Sequence, residues 1–169
     1  MSAGDITYRS PGADEWKALK DLRVRSVKEH PIAFGRTLEE EEESTEETWR
    51  SRLEKRQYIT AEKDGVFVGM LSFVQGDNPK SAHTMHLYSV YVAPECRGLG
   101  VGRGLLERVI AEAKTRPEVI KIGLNVAASQ SEARALYEKM GFDQVGLFKK
   151  EIFVDGVYID ELQMELMLR

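Results

Sequence analysis

The residues with the clearest chemistry lie in the run VYVAPECRGLGVGRGLL, residues 90–106. Arg97 is followed by glycines at 98, 100, 102 and 104, with Arg103 among them. Glycines spaced in this way keep side chains off the backbone and let successive N–H groups face one point. A β-branched run (Val90, Tyr91, Val92) and a break at Pro94 precede them, and Leu105, Leu106, Val109, Ile110 and Ala113 follow at helical spacing. The order is strand, turn, helix start, so the glycines fall where a helix dipole leaves partial positive charge. That is a site built for an anion, and a pyrophosphate suits it.

Counting decides which anion motif this is. A dinucleotide fingerprint GxGxxG needs glycine at 103 or 105, where Arg103 and Leu105 stand, and a Walker A loop needs a GK[ST] ending that is absent. What fits is a basic residue followed by spaced glycines: Arg97, two residues, Gly100, one residue, Gly102. In this the chain resembles the GNAT N-acetyltransferase superfamily, whose acyl-CoA loop reads [RQ]xxGx[GA]. The strand ending in VxVxP and the apolar helix after Gly102 match as well. A second match lies in SQSEARALYEKMGF, residues 129–142, which resembles the family's NxxAxxLYxxxGF: Ala133, Leu136, Tyr137, Gly141 and Phe142 are in register, with Gln130 at the Asn position. The likeness is strongest over about 85–168 and architectural over 1–84.

The resemblance implies a set of roles. Arg97, Gly98, Leu99, Gly100, Val101, Gly102 and Arg103 would hold the pyrophosphate of acetyl-CoA. Val90, Tyr91 and Val92, on a splayed strand, would offer backbone groups to the pantetheine arm and an N–H to the thioester oxygen. Asn125 and Gln130 are further expected cofactor contacts. Tyr137 would protonate the departing thiolate, a task for a phenol of pKa near 10 facing a thiol of pKa near 8.5. A primary amine is mostly protonated at neutral pH, so it needs a base. His86 and Tyr88 match the two strand histidines of the arylalkylamine branch, and His86 is the expected base. Asp160, Glu161 and a glutamate of the 39–47 run are rivals, and a lone strand histidine also reads as a structural one. Cys96 has no histidine at a recognisable spacing, so direct attack without an acyl-enzyme is expected.

The elements that position these groups can be read in order. DITYR predicts a short first strand, and Trp16, Leu19, Leu22 and Val27 predict a helix from Ala13 to His30, stopped by Pro31. Ser44 and Glu47 have capping-box spacing, which predicts a second helix starting near Ser44. The acidic run Glu39–Glu43, continued by Glu46 and Glu47, reads as a solvated face, with attraction of a cationic amine as the alternative. Asp64-Gly65 and Asp155-Gly156 are hairpin turns, Pro117 ends the helix after the glycine loop, and VIKIGLNVAA predicts a strand buried on both faces. Gly141 caps the helix that carries Tyr137. Tyr158, Asp160, Leu162, Met164, Leu166 and Leu168 alternate onto one face of the last strand.

Composition bounds the answer. The 169 residues, 42% hydrophobic, suit a single α+β domain over 1–169: a splayed, mostly antiparallel central sheet with about four helices. Residues 1–56 would be a variable acceptor-side region and 85–168 the acyl-CoA core with its C-terminal hairpin. A net charge of −4 argues against nonspecific nucleic-acid or anionic-membrane binding. No apolar run approaches a membrane span and the N-terminus lacks a signal pattern, so a cytoplasmic protein is expected. The single cysteine rules out an internal disulfide and a Cys-cluster metal site, and no metal is expected. The resemblance then implies acetyl transfer from acetyl-CoA to an amine, a small molecule or amino acid in the first instance, and leaves a homodimer open. A protein N-terminal or lysine acetyltransferase and a non-catalytic acyl-CoA-binding module are the alternatives.

Overall fold

A computed structural model describes residues 5–55 and 57–169. In chain order it contains β1 (Thr7–Arg9), α1 (Trp16–Glu29), α2 (Leu38–Glu42), α3 (Glu46–Lys55), β2 (Gln57–Lys63), β3 (Val66–Gln75), β4 (Thr84–Val92), α4 (Val101–Lys114), β5 (Lys121–Ala127), α5 (Ser131–Lys139), β6 (Asp143–Val154) and β7 (Val157–Met167). The strands form one seven-stranded sheet in the order β1-β2-β3-β4-β5-β7-β6. β4 and β5 run parallel, while β1/β2, β2/β3, β5/β7 and β6/β7 are antiparallel. This is the expected α+β class. Among the described residues no helix is long and apolar enough to cross a membrane.

Contacts divide the chain into two compact units, Met1–Phe73 with Ser89–Val109, and Val74–Tyr88 with Ile110–Arg169. In the first, α1 buries Leu19, Leu22 and Val27, and α4 buries Val101, Leu105, Leu106 and Val109. Gly69 of β3 lets the first turn of α4 come close: a Cβ there would stand 3.2 Å from both Val101 Cγ1 and Leu105 Cδ1. Burial of this apolar face, rather than helix propensity, fixes where the glycine loop ends.

The helices of this unit differ from expectation at two places. α2 is an additional short helix, closed by a capping box in which Thr37 N–H donates to Glu40 Oε2 at 2.8 Å and Glu40 N–H to Thr37 Oγ1 at 3.2 Å. The predicted box at Ser44 and Glu47 does not form, and a single cap bond one residue further on takes its place. Thr45 Oγ1 accepts from Thr48 N–H at 3.2 Å, while the Ser44 hydroxyl turns back to the Glu40 carbonyl at 2.8 Å. With α2 ending just before it, Ser44 completes that helix instead of opening α3.

In the second unit, β4 pairs with β5 in the register Thr84↔Lys121, Met85↔Ile122 and His86↔Gly123, and the pairing stops there. β5 then continues against β7, from Lys121↔Met167 to Ala127↔Glu161. Buried residues run almost without a break along β5, as predicted, though the strand starts at Lys121 and leaves Val119 and Ile120 in the approach. Gly141, at φ 94°, caps α5. Asp155 and Gly156, at φ 51° and 80°, make the tight turn between β6 and β7. On β7 Leu162 and Met164 are buried together, whereas Tyr158, near the turn, is exposed and lies 4.7 Å from the ring of Phe153.

Candidate active site

The glycine loop is short and open. A 3-10 turn, Pro94–Cys96, leads from β4 into it, and Arg97, Gly98, Leu99 and Gly100 are all exposed. Gly98 and Gly100 have φ of 73° and 80°, the left-handed region where a side chain is strained, and a Cβ on either would meet nothing within 4 Å. The turn thus directs the chain into α4 with its outer surface free. The first bond of that helix is Gly104 N–H to the Gly100 carbonyl at 2.9 Å. Helix geometry therefore leaves the N–H groups of Val101, Gly102 and Arg103 without partners inside the helix, at the positive end of its dipole.

The structure assigns the four glycines different work. Gly98 and Gly100 shape the loop, and Gly102 and Gly104 lie inside the first turn of α4. A Cβ on Gly104 would collide with the ring and hydroxyl of Tyr8, so this glycine serves packing against β1 and not the anion.

Side chains around the loop are mostly committed. Arg97 Nε donates to the Val92 carbonyl at 3.1 Å and its Nη2 lies 2.7 Å from His30 Nε2. A guanidinium only donates, so His30 is the acceptor and Arg97 is tied to the end of α1. Arg103 Nε donates to Glu107 Oε1 at 2.7 Å along the exposed face of α4. The Tyr91 ring is buried and its hydroxyl donates to Glu29 Oε2 at 2.6 Å, so Tyr91 can serve a ligand through its backbone alone. Burial, with the Glu29 hydrogen bond next, pushes the Tyr91 phenol well above its usual pKa. Arg25 clamps Glu95 through two bonds of 2.7 and 2.6 Å, which holds the 3-10 turn to α1 and lowers the Glu95 carboxyl to about 2.

One feature of β4 has no signal in the sequence. Ser89 adopts φ 57° within the strand. Its hydroxyl accepts from Arg23 Nη1 at 2.9 Å. Neither Gly nor Asn marks the kink, and its partner stands 66 residues away.

In the second unit Tyr137 lies on α5 with its ring buried, edge-on to Phe142 at 5.9 Å. Burial raises its pKa far above the ordinary phenol value, so the proton stays on at neutral pH. Among the described residues its hydroxyl has no hydrogen-bond partner. His86 is exposed on β4, with its ring over Gly123, where a Cβ would come within 3.2 Å of Nδ1. Asn125 Nδ2 donates to Glu161 Oε2 at 3.3 Å. Gln130 precedes α5, and its backbone carbonyl, not its side chain, accepts from Arg134 N–H at 3.0 Å.

The rival bases separate. Asp160 Oδ1 accepts the Lys150 N–H at 2.8 Å and is committed to β6. Glu161 has its pKa raised, by burial first and by Glu151 second. Cys96 is buried, as a structural thiol would be. Among the described residues no group of three His, Cys, Asp or Glu side chains could hold a metal ion.

A strand, an open glycine turn and a helix N-terminus with free amides make an anion site, set in a mixed, mostly antiparallel sheet. The chain belongs to the acetyltransferase (GNAT) family, whose model matches residues 18–142. It is an acetyl-CoA-dependent N-acetyltransferase. It is 32% identical over 149 residues to a phosphinothricin N-acetyltransferase from Alcaligenes faecalis, covering 84% of this chain and 75% of that one. A spermidine N(1)-acetyltransferase from Vibrio cholerae is 26% identical over 113 residues, 67% of this chain and 64% of that one. Among solved structures, a GNAT superfamily phosphinothricin acetyltransferase from Sinorhizobium meliloti in complex with acetyl-CoA superposes with a TM-score of 0.83 at 20% identity. That match covers 96% of this chain and 88% of the other and shows the fold.

Proposed function

We propose that the whole chain works as one catalytic domain that acetylates the amine of a small molecule or amino acid by direct attack on acetyl-CoA. The observation that carries the donor side is the open turn at Gly98 and Gly100 leading into the free amides of α4. Those amides suit a diphosphate, and Arg97 and Arg103 add positive charge beside them. The backbone of Val90–Val92 would lie along the pantetheine arm. The acyl donor supplies an acetyl group activated as a thioester; the amine nitrogen bonds the carbonyl carbon and the carbon–sulfur bond breaks.

Two protons must move. Tyr137, a neutral phenol without a partner among the described residues, is our donor to the thiolate. His86 is our acceptor of the amine proton. Glu161 is the second reading, favoured by its raised pKa, which brings a carboxylate closer to the range useful for a base. The small-molecule acceptor is supported by the activities named for the phosphinothricin and spermidine relatives.

The test is thiol release from acetyl-CoA across a panel of phosphinothricin, spermidine, amino acids, aminoglycosides and short peptides. Release dependent on a small amine supports the proposal. Release with peptides alone would replace it by protein acetylation.

A further inference from the structure

We propose that Arg23 is a positioning residue for acetyl transfer, holding the left-handed turn at Ser89 of β4, and that Glu41 of the acidic run serves to hold Arg23. The inference rests on the reading that the β4 backbone beyond Ser89 receives the acyl donor. Serine seldom adopts a φ of 57°, and such a conformation persists where its surroundings impose it. The Arg23 hydrogen bond to Ser89 Oγ is the contact that does so.

Arg23 is itself held by stacking and by pairing. Its guanidinium stacks on the Phe34 ring at 4.3 Å, its Nε donates to Glu41 Oε1 at 3.1 Å, and its side chain is 11% exposed. Glu41 is fully buried, and its second oxygen accepts from Arg52 Nη1 at 2.7 Å. Arg52 reaches the Ser44 hydroxyl at 3.3 Å and lies over Trp49 at 4.5 Å. Two cations and one anion thus tie α1, α2 and α3 together. Apolar side chains of similar volume could join three helices with less desolvation, so the cluster needs a reason beyond stability. The hydroxyl of Ser89 supplies one: a planar, stacked guanidinium fixes a direction that an aliphatic chain would not.

The consequence is selective. The glycine loop makes its turns from its own residues, so binding of the donor's diphosphate does not depend on Arg23. Placement of the pantetheine arm and thioester against β4 does.

Calorimetric titration of acetyl-CoA and of adenosine 3′-phosphate 5′-diphosphate, which carries the diphosphate without the pantetheine arm, against Ser89→Ala, Arg23→Met and Arg23→Met/Ser89→Gly tests this. Ser89→Ala and Arg23→Met should each weaken acetyl-CoA binding about 10-fold, the equivalent of one hydrogen bond to a charged group, and leave the pantetheine-free nucleotide within two-fold. The double variant should recover most of the loss, because glycine enters the left-handed region unaided. Equal losses for both ligands, no loss for either, or a double variant no better than Arg23→Met would overturn the proposal. Should Arg23→Met not fold, Ser89→Ala decides by the same ratio, since it leaves the charged cluster intact. If the native protein binds neither ligand, the acyl-CoA reading itself falls, and this inference with it.

Discussion

Gly100→Val separates what the fold needs from what a ligand needs. Gly100 sits at φ 80° with nothing within 4 Å of a Cβ, and Gly156, in the β6–β7 turn, has the same φ and the same open surroundings. Neither substitution meets a steric obstacle, so each should cost the backbone penalty of a side chain in the left-handed region, about 1–2 kcal/mol. For a chain of this size that corresponds to about 2–8 °C in melting temperature. The ligand response should differ. Gly156 lies outside the proposed donor site, and acetyl-CoA affinity should be unchanged. At Gly100 the new side chain occupies the free surface of the loop, and any relaxation of φ turns the amides that follow it. Each hydrogen bond to a charged oxygen lost in this way is worth about 1.5–3 kcal/mol, or roughly 10- to 150-fold in affinity. Scanning calorimetry and titration with acetyl-CoA, run on both variants, give the comparison. Matched melting losses together with acetyl-CoA binding by Gly100→Val within three-fold of the native protein would refute the anion-loop assignment. Loss of binding in Gly156→Val would show that the effect is not local.

Tyr137→Phe keeps the edge contact with Phe142 and removes the proton donor, so kcat should fall by about 100-fold or more with acetyl-CoA affinity unchanged; activity within two-fold would make Tyr137 a packing residue. His86→Ala and Glu161→Gln compared over a pH series identify the base, which is the residue whose loss removes the acidic limb of the rate profile; retention of that limb in His86→Ala would transfer the role to Glu161. Glu41→Ala strands Arg23 beside Arg52 and should cost about 3–5 kcal/mol in denaturant unfolding, while a loss below about 1 kcal/mol would show that water reaches the cluster. Acid should destabilise the protein in a defined window. Arg9 holds the Glu15 carboxyl at about 2 and Arg25 holds Glu95 at about 2; burial alone would raise Glu41, but Arg52 and Arg23 bring it below its usual value. All three are lower in the folded than in the unfolded chain, so the unfolded state takes up protons first as pH falls. The stabilisation is complete above about pH 4.5 and is lost towards pH 2, and a flat stability profile across that interval would contradict the ion pairs.

Much of this molecule is legible because the information is local. The two Asp-Gly turns, the Gly141 cap and the glycines at 98 and 100 each depend on a residue whose own backbone preference produces the feature, and the structure shows positive φ at all of them. The strand and helix flanking the loop follow from apolar period alone, and of the residues its spacing selected α4 buries Leu105, Leu106, Val109 and Ala113, with Ile110 half-buried. Where two local signals compete, sequence is less decisive. Thr37/Glu40 and Ser44/Glu47 both have capping-box spacing, and the first prevails, which leaves Ser44 to finish α2 and Thr45 to open α3.

Legibility fails where burial forces a pairing between distant residues. In a run of five glutamates any one looks solvated, since charge runs usually are. A helix as short as α2 nevertheless points different residues in different directions, and Glu41 is the one turned inward, to partners 18 and 11 residues away. Neither spacing is a motif. The error matters for function, because the run's single fully buried carboxylate is neutralised by two arginines and has no charge to spare for a cationic acceptor. Attraction of such an amine would have to come from Glu39, Glu40, Glu42, Glu43, Glu46 and Glu47, which are exposed and screened by salt. Preference among acceptors should therefore follow contacts within the site more than long-range charge, and it should change little between low and physiological ionic strength. A steep fall in kcat/KM for spermidine with added salt, set against a flat response for a neutral amine, would return the acidic run to the role of an attractor.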